Sequence, residues 1–84
     1  MEDFRLKIFM TVASEGSFTK AASVLGISQP AVSQNISELE KTTGVRLFER
    51  LRGEVILTEQ GRVFKDYAAR IIGCYAEASR MFSL

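Results

Sequence analysis

From Phe4 to Ser14, Leu6, Phe9 and Ala13 recur at i, i+3 and i+7, and Phe4, Ile8 and Val12 recur at i, i+4 and i+8. This spacing predicts a first helix with two apolar stripes. One stripe should meet the local core, and the second requires another helix or another subunit. Gly16 is a natural stop. The hydroxyl of Ser17 suits the N-cap of a short second helix over Phe18 to Leu25, whose inner face is Ala21, Ala22 and Leu25. The paired alanines let a crossing helix approach closely. After Gly26, which fits a left-handed helix end, Ser28 can cap a third helix with Pro30 in its first turn, where no helical N–H bond is lost. Val32, Ile36 and Leu39 form its inner face. Gln29, Ser33, Gln34 and Ser37 form the outer face, and Gly44 ends it.

Beyond Leu47-Phe48 the pattern changes to short β-tolerant pieces on either side of Arg52-Gly53-Glu54, which predicts a small hairpin. Thr58-Glu59 then supplies a cap and a first-turn acid for a long final helix. In it Phe64, Ala68, Ile71, Tyr75, Ala78 and Phe82 alternate spacings of four and three, the repeat of a coiled-coil seam. About 26 residues at 1.5 Å each make a rod of roughly 39 Å, longer than so small a domain can cover. Part of it should therefore meet an external partner. The expected organisation is mainly α, with three helices and a β-hairpin over 1–58 and a linker or dimerisation helix over 59–84.

Composition narrows the chemistry. The 84 residues, 46% hydrophobic, support one small core. A domain of this size buries only about 60% of the surface its unfolded chain exposes, so a partner subunit would add needed burial. Cys74, the one cysteine, cannot form an internal disulfide and is expected as a small buried thiol beside the seam. Without any histidine the usual zinc sets cannot be assembled, and neither a nucleophile with its base nor a phosphate loop is present. No enzyme and no cofactor are expected. The start Met1-Glu2-Asp3 lacks the basic n-region of a signal peptide, and charges interrupt the apolar stretches. A soluble, unexported, cytoplasmic protein without a membrane partner is the expectation.

The net charge is only +1, but it is unevenly distributed. Residues 1–43 carry −1, whereas the stretch from Gly44 to Lys65 carries +2 through Arg46, Arg50, Arg52, Arg62 and Lys65. The basic stretch coincides with the hairpin. Two short helices joined through Gly26 describe a helix-turn-helix, although periodicity alone also allows a plain helical bundle.

The residues Ser17-Phe18-Thr19-Lys20-Ala21-Ala22, Leu25, Ser28-Gln29-Pro30-Ala31-Val32-Ser33, Ile36, Leu39-Glu40, Gly44, Leu47-Phe48 and Arg50, continuing through Leu57-Thr58 and Gly61, are more specific. Over nearly the whole chain the sequence resembles the N-terminal domain of the LysR-type transcriptional regulators. The resemblance implies a winged helix-turn-helix acting as a homodimer, with tetramers among full-length regulators. It also implies dyad-related operators in double-stranded DNA, a recognition helix in the major groove, and a wing at an adjacent minor groove. A C-terminal domain sensing a small-molecule effector is expected to be missing from this chain.

On that reading the base-contacting set is Gln29, Pro30, Ser33 and Gln34. The Gln29 amide matches adenine N6 and N7, and Pro30 suits a thymine methyl. Ser17, Thr19, Lys20, Ser28, Arg50 and Arg52 are backbone or wing contacts, with capping as the first role of the hydroxyls at helix starts. Glu49 and Glu54 stand near enough to pair with the arginines instead. The sequence departs from the family pattern in having no Lys or Arg between Ala21 and Glu40, in Gln60 where alanine is common, and in Leu51 where a polar wing residue is usual. Neutral groups must therefore do the reading. A protein-only dimerisation module is the competing class, since the seam is the strongest purely physical feature.

Overall fold

The structure, a computed structural model, describes residues 3–83, so the charge argument on Met1-Glu2 and the last residue of the 59–84 segment lie outside the described residues. Helix α1 spans Phe4–Glu15, α2 Phe18–Leu25 and α3 Gln29–Thr43; strands β1 (Phe48–Leu51) and β2 (Glu54–Leu57) follow, and α4 spans Glu59–Phe82.

Side-chain caps set the helix starts. The carboxylate of Asp3 accepts from the N–H groups of Arg5 and Leu6, at 3.0 and 3.4 Å. Ser17 accepts from Lys20 N–H at 3.1 Å, Ser28 from Ala31 N–H at 3.2 Å and Thr58 from Gly61 N–H at 2.9 Å. Asp3 thus satisfies two, and the three hydroxyls one each, of the N–H groups that a helix leaves without an internal partner. Gly16, Gly26 and Gly44 end the first three helices in the left-handed conformation, which costs a glycine nothing. Turns of only a few residues then hold α1, α2 and α3 around one core.

The centre of that core is Phe9. Its ring lies 5.2 Å from that of Phe48 and 5.0 Å, edge-on, from that of Phe64, so one aromatic cluster joins α1, β1 and α4. Ala21 and Ala22 are buried where α2 meets its neighbours, and Val32, Ile36 and Leu39 form the buried face of α3. Both stripes of α1 are covered within the chain. Ile8 and Val12 are fully buried together with Phe9, because α1 packs against α2, α3, α4 and β2 at once. Only Phe4 of the second stripe remains exposed, so of the two covers expected for this face, another helix or another subunit, it is the other elements of the same chain that supply it.

The hairpin is antiparallel, with Phe48 opposite Leu57 and Leu51 opposite Glu54. Arg52 and Gly53 make its two-residue loop, both at positive φ (53° and 80°), the pattern of a type I′ turn. Val55 N–H donates to Gly16 C=O at 3.1 Å and fastens the hairpin to the body, while Thr58 closes its base, donating from N–H to Leu47 C=O at 3.0 Å and from Oγ1 to Arg46 C=O at 2.6 Å.

Helix α4 begins against this body and then leaves it. Ala68 is its last fully buried residue, and Ile71, Ile72, Met81 and Phe82 are exposed. The seam therefore divides. Phe64 and Ala68 belong to the core of their own chain and are corrected as dimer contacts, while Ile71, Tyr75, Ala78 and Phe82 lie on the projecting part. Cys74 is exposed, not buried, because it lies beyond the point where the body ends. Among the described residues no helix is long and apolar enough to cross a membrane.

Candidate nucleic-acid interface

The outer face of α3 carries side chains that the core does not need. Its first turn is fixed by the Ser28 cap, and Pro30 and Gln34 are exposed on it. Gln29 and Ser33 are half-buried and joined: the Gln29 amide Nε2 donates to Ser33 Oγ at 3.2 Å. Asn35 is turned inward along the helix, its Nδ2 donating to Ala31 C=O at 2.8 Å. Ser37 stays exposed one turn further on. Thr19 and Lys20 are exposed in the first turn of α2, next to the Ser17 cap.

The hairpin stands beside this face. Ser33 and Ser37 of α3 share a small cleft of about 210 Å³ with Glu49 and Arg50 of β1. The Arg50 guanidinium lies over the Phe18 ring, 4.9 Å from its centroid, a cation–π contact that holds its stem while leaving the charge in water. Arg52 is exposed at the hairpin tip. Among the described residues the ion pairs are Lys41–Glu38 and Arg46–Glu40, so Glu49 and Glu54 do not neutralise Arg50 or Arg52. Two cations and a row of neutral donors and acceptors thus flank one surface. Such a surface can contact a phosphate backbone and the edges of bases together.

Glu40 has a role that the sequence pattern leaves unassigned. It follows Val32 and Ile36 at successive steps of four, so a carboxylate continues an apolar stripe, and that is the one signal of it. Its Oε2 accepts from the N–H groups of Leu47 (2.7 Å) and Phe48 (3.3 Å) and lies 4.0 Å from Arg46 Nε. The clasp ties the end of α3 to the start of the hairpin. Glu40→Ala leaves two partly buried N–H groups without a partner and should cost about 2 kcal/mol. Glu40→Gln keeps an acceptor and should cost less. Denaturant midpoints measured at equal m-value check the order, and equal stability of the two variants would contradict the clasp.

Comparison with known proteins gives one answer. The family model of bacterial regulatory helix-turn-helix proteins of the lysR family matches residues 4–62. The chain is 46% identical over 69 residues to the HTH-type transcriptional regulator CfxR of Cupriavidus necator, covering 82% of this chain and 22% of that protein. It is 49% identical over 72 residues to the HTH-type transcriptional regulator BudR of Klebsiella aerogenes, covering 86% of this chain and 50% of that protein. The chain thus spans from about a fifth to a half of these relatives' length. Among solved structures, the BenM DNA-binding domain in complex with catB site 1 DNA superposes with a TM-score of 0.91 at 37% identity, covering 99% of this chain and 93% of that one. The CbnR DNA-binding domain bound to DNA superposes at 0.84 with 36% identity, covering both chains fully. The four helices and two-stranded wing are those of a LysR winged-helix domain, and the chain belongs to the lysR family of bacterial regulatory helix-turn-helix proteins.

Proposed function

We propose that this chain is the operator-reading part of a LysR-type transcriptional regulator, binding double-stranded DNA sequence-specifically as a homodimer in the cytoplasm. Residues 1–58 are the winged helix-turn-helix and 59–84 the linker and dimerisation helix. An effector-binding domain elsewhere in the full regulator would sense a small molecule. The activity is binding and not catalysis. Helix α3 enters the major groove with Gln29, Pro30, Ser33 and Gln34 toward the bases. Ser17, Thr19, Lys20 and Ser28 meet the phosphates near the helix starts, and Arg50 and Arg52 bring the wing to the flanking backbone or minor groove.

The observation that carries this reading is the outer face of α3. Its polar side chains are accessible beside two arginines that no acid neutralises among the described residues. The structural likeness to LysR domains solved on DNA supports it.

The test is Gln29→Ala, titrated against an operator selected from random duplex DNA and varied one base pair at a time. A bidentate amide to adenine is worth roughly 1 to 3 kcal/mol of discrimination. Preference at one base pair should therefore flatten by one to two powers of ten, roughly. Binding to non-specific DNA should change little, because phosphate contacts persist. An unchanged specificity profile in the folded variant would remove Gln29 from the reading set. A protein-only dimerisation module would bind neither DNA, and its affinity would show no salt dependence.

A further inference from the structure

We infer that Ser33 determines specificity by positioning Gln29: its hydroxyl holds the Gln29 carboxamide in the orientation that reads the base. The inference rests on the proposal that Gln29 reads DNA, and it assigns Ser33, set toward the bases above, to holding Gln29 in place of a base contact of its own. The two residues stand at i and i+4 on α3, one directly above the other, and the amide Nε2 donates to Ser33 Oγ at 3.2 Å.

This bond departs from what three helical threonines do. Thr11, Thr42 and Thr43 each turn their Oγ1 back to the carbonyl four residues earlier, at 2.8, 3.0 and 3.0 Å. Ser33 instead receives a side-chain amide. A carboxamide has two N–H donors and a carbonyl acceptor. One N–H bound to Ser33 leaves one donor and the acceptor, which is the pair that adenine N7 and N6 require. The bond also fixes which edge of the amide faces outward. A free glutamine would present donor and acceptor in either order and lose more side-chain freedom on binding. Ser33 is half-buried at the cleft shared with the hairpin.

A double-mutant cycle on the dimeric chain tests this, read as base preference at each position of the selected operator. Gln29→Ala should flatten one base pair by roughly 10- to 100-fold. Ser33→Ala should flatten the same base pair, by roughly 3- to 10-fold, and leave other positions unchanged. The double variant should match Gln29→Ala alone. Ser33→Thr, whose hydroxyl can accept from the Gln29 amide even while donating to the carbonyl four residues earlier, should restore the preference, a recovery that a merely structural role would not produce. Circular dichroism establishes that each variant is folded. If Ser33→Ala flattens a different base pair, adds fully to Gln29→Ala, or changes nothing, positioning is wrong. If Gln29→Ala itself leaves the profile intact, the reading of Gln29 fails first and takes the inference with it, so the two failures are told apart by the first variant.

Discussion

Gly61→Ala should destabilise the chain by about 3 kcal/mol, even though alanine is the better helix former by about 1 kcal/mol. Gly61 lies in the first turn of α4, buried where that helix crosses the start of the hairpin. A Cβ at this position runs into the Leu47 carbonyl oxygen, and lies 3.0 Å from both the Leu47 carbonyl carbon and Leu57 Cδ2. The obstacle is backbone and cannot rotate away. That backbone is also held by the Thr58 N–H bond to the same carbonyl and by the Glu40 clasp one residue on. Overpacking of this kind typically costs about 1 to 3 kcal/mol, and the rigidity of the obstacle favours the upper end. Total stability for a domain of this length is roughly 4 to 13 kcal/mol, so the loss is a large share. Each 1 kcal/mol lowers the melting temperature of such a domain by about 4 to 8 °C. Gly73→Ala supplies the contrast, because that glycine is exposed in the same helix and an added Cβ would meet nothing within 4 Å. It should gain up to about 1 kcal/mol. Melting curves showing both variants shifted in the same direction would contradict the close crossing.

Ile71→Glu should convert a dimer into monomers. Helix α4 projects past the body after Ala68, and Ile71 and Ile72 with Tyr75 and Leu6 of α1 line an open groove of about 470 Å³. Ile71 is 52% exposed, so covering the remainder contributes about half of the ~1.5 to 3 kcal/mol of a full isoleucine burial, roughly 0.8 to 1.5 kcal/mol. A two-fold symmetric interface contains the residue twice, so its removal should weaken association by about 1.5 to 3 kcal/mol, or roughly one to two powers of ten. The buried carboxylates would add to the penalty. Sedimentation velocity should find the unaltered chain dimeric and the variant monomeric at the same concentration, with unchanged helix content in the body. A dimeric Ile71→Glu chain would assign the interface to another face.

The elements legible in the sequence are those whose causes are local. Ser17, Ser28 and Thr58 cap helices because a hydroxyl reaches an N–H three residues on, and Gly16, Gly26 and Gly44 stop them by their own backbone freedom. The inner face of α3 follows from spacing alone. Relations between distant segments are hidden. The Glu40 clasp spans seven and eight residues and exists only once α3 and β1 have been brought together. The stripe of Ile8 and Val12 leaves open whether a helix or a subunit covers it, because periodicity shows which side of a helix is apolar without showing which neighbours cover it. For the same reason a continuous seam in α4 gives no sign of where the body ends, and so misplaces Phe64, Ala68 and Cys74. Of the candidate interface, the polar outer face of α3 is readable from spacing, while the Gln29 to Ser33 bond and the Arg50 to Phe18 contact emerge only in three dimensions.

The hairpin tip shows a conflict between local comfort and position. A two-residue loop with both φ values positive is best served by Asn-Gly or Gly-Gly, yet its first residue is Arg52 at φ 53°. A bulky L residue there costs about 1 to 2 kcal/mol relative to the right-handed regions. The same turn with asparagine would be easier to form and would carry no charge. A substitution toward the preferred turn residue would therefore improve the hairpin and remove its outermost cation in one step. Mutational optimisation of this domain for thermal stability alone would be drawn to Arg52, and would erode the wing's electrostatic reach while every melting curve reported improvement.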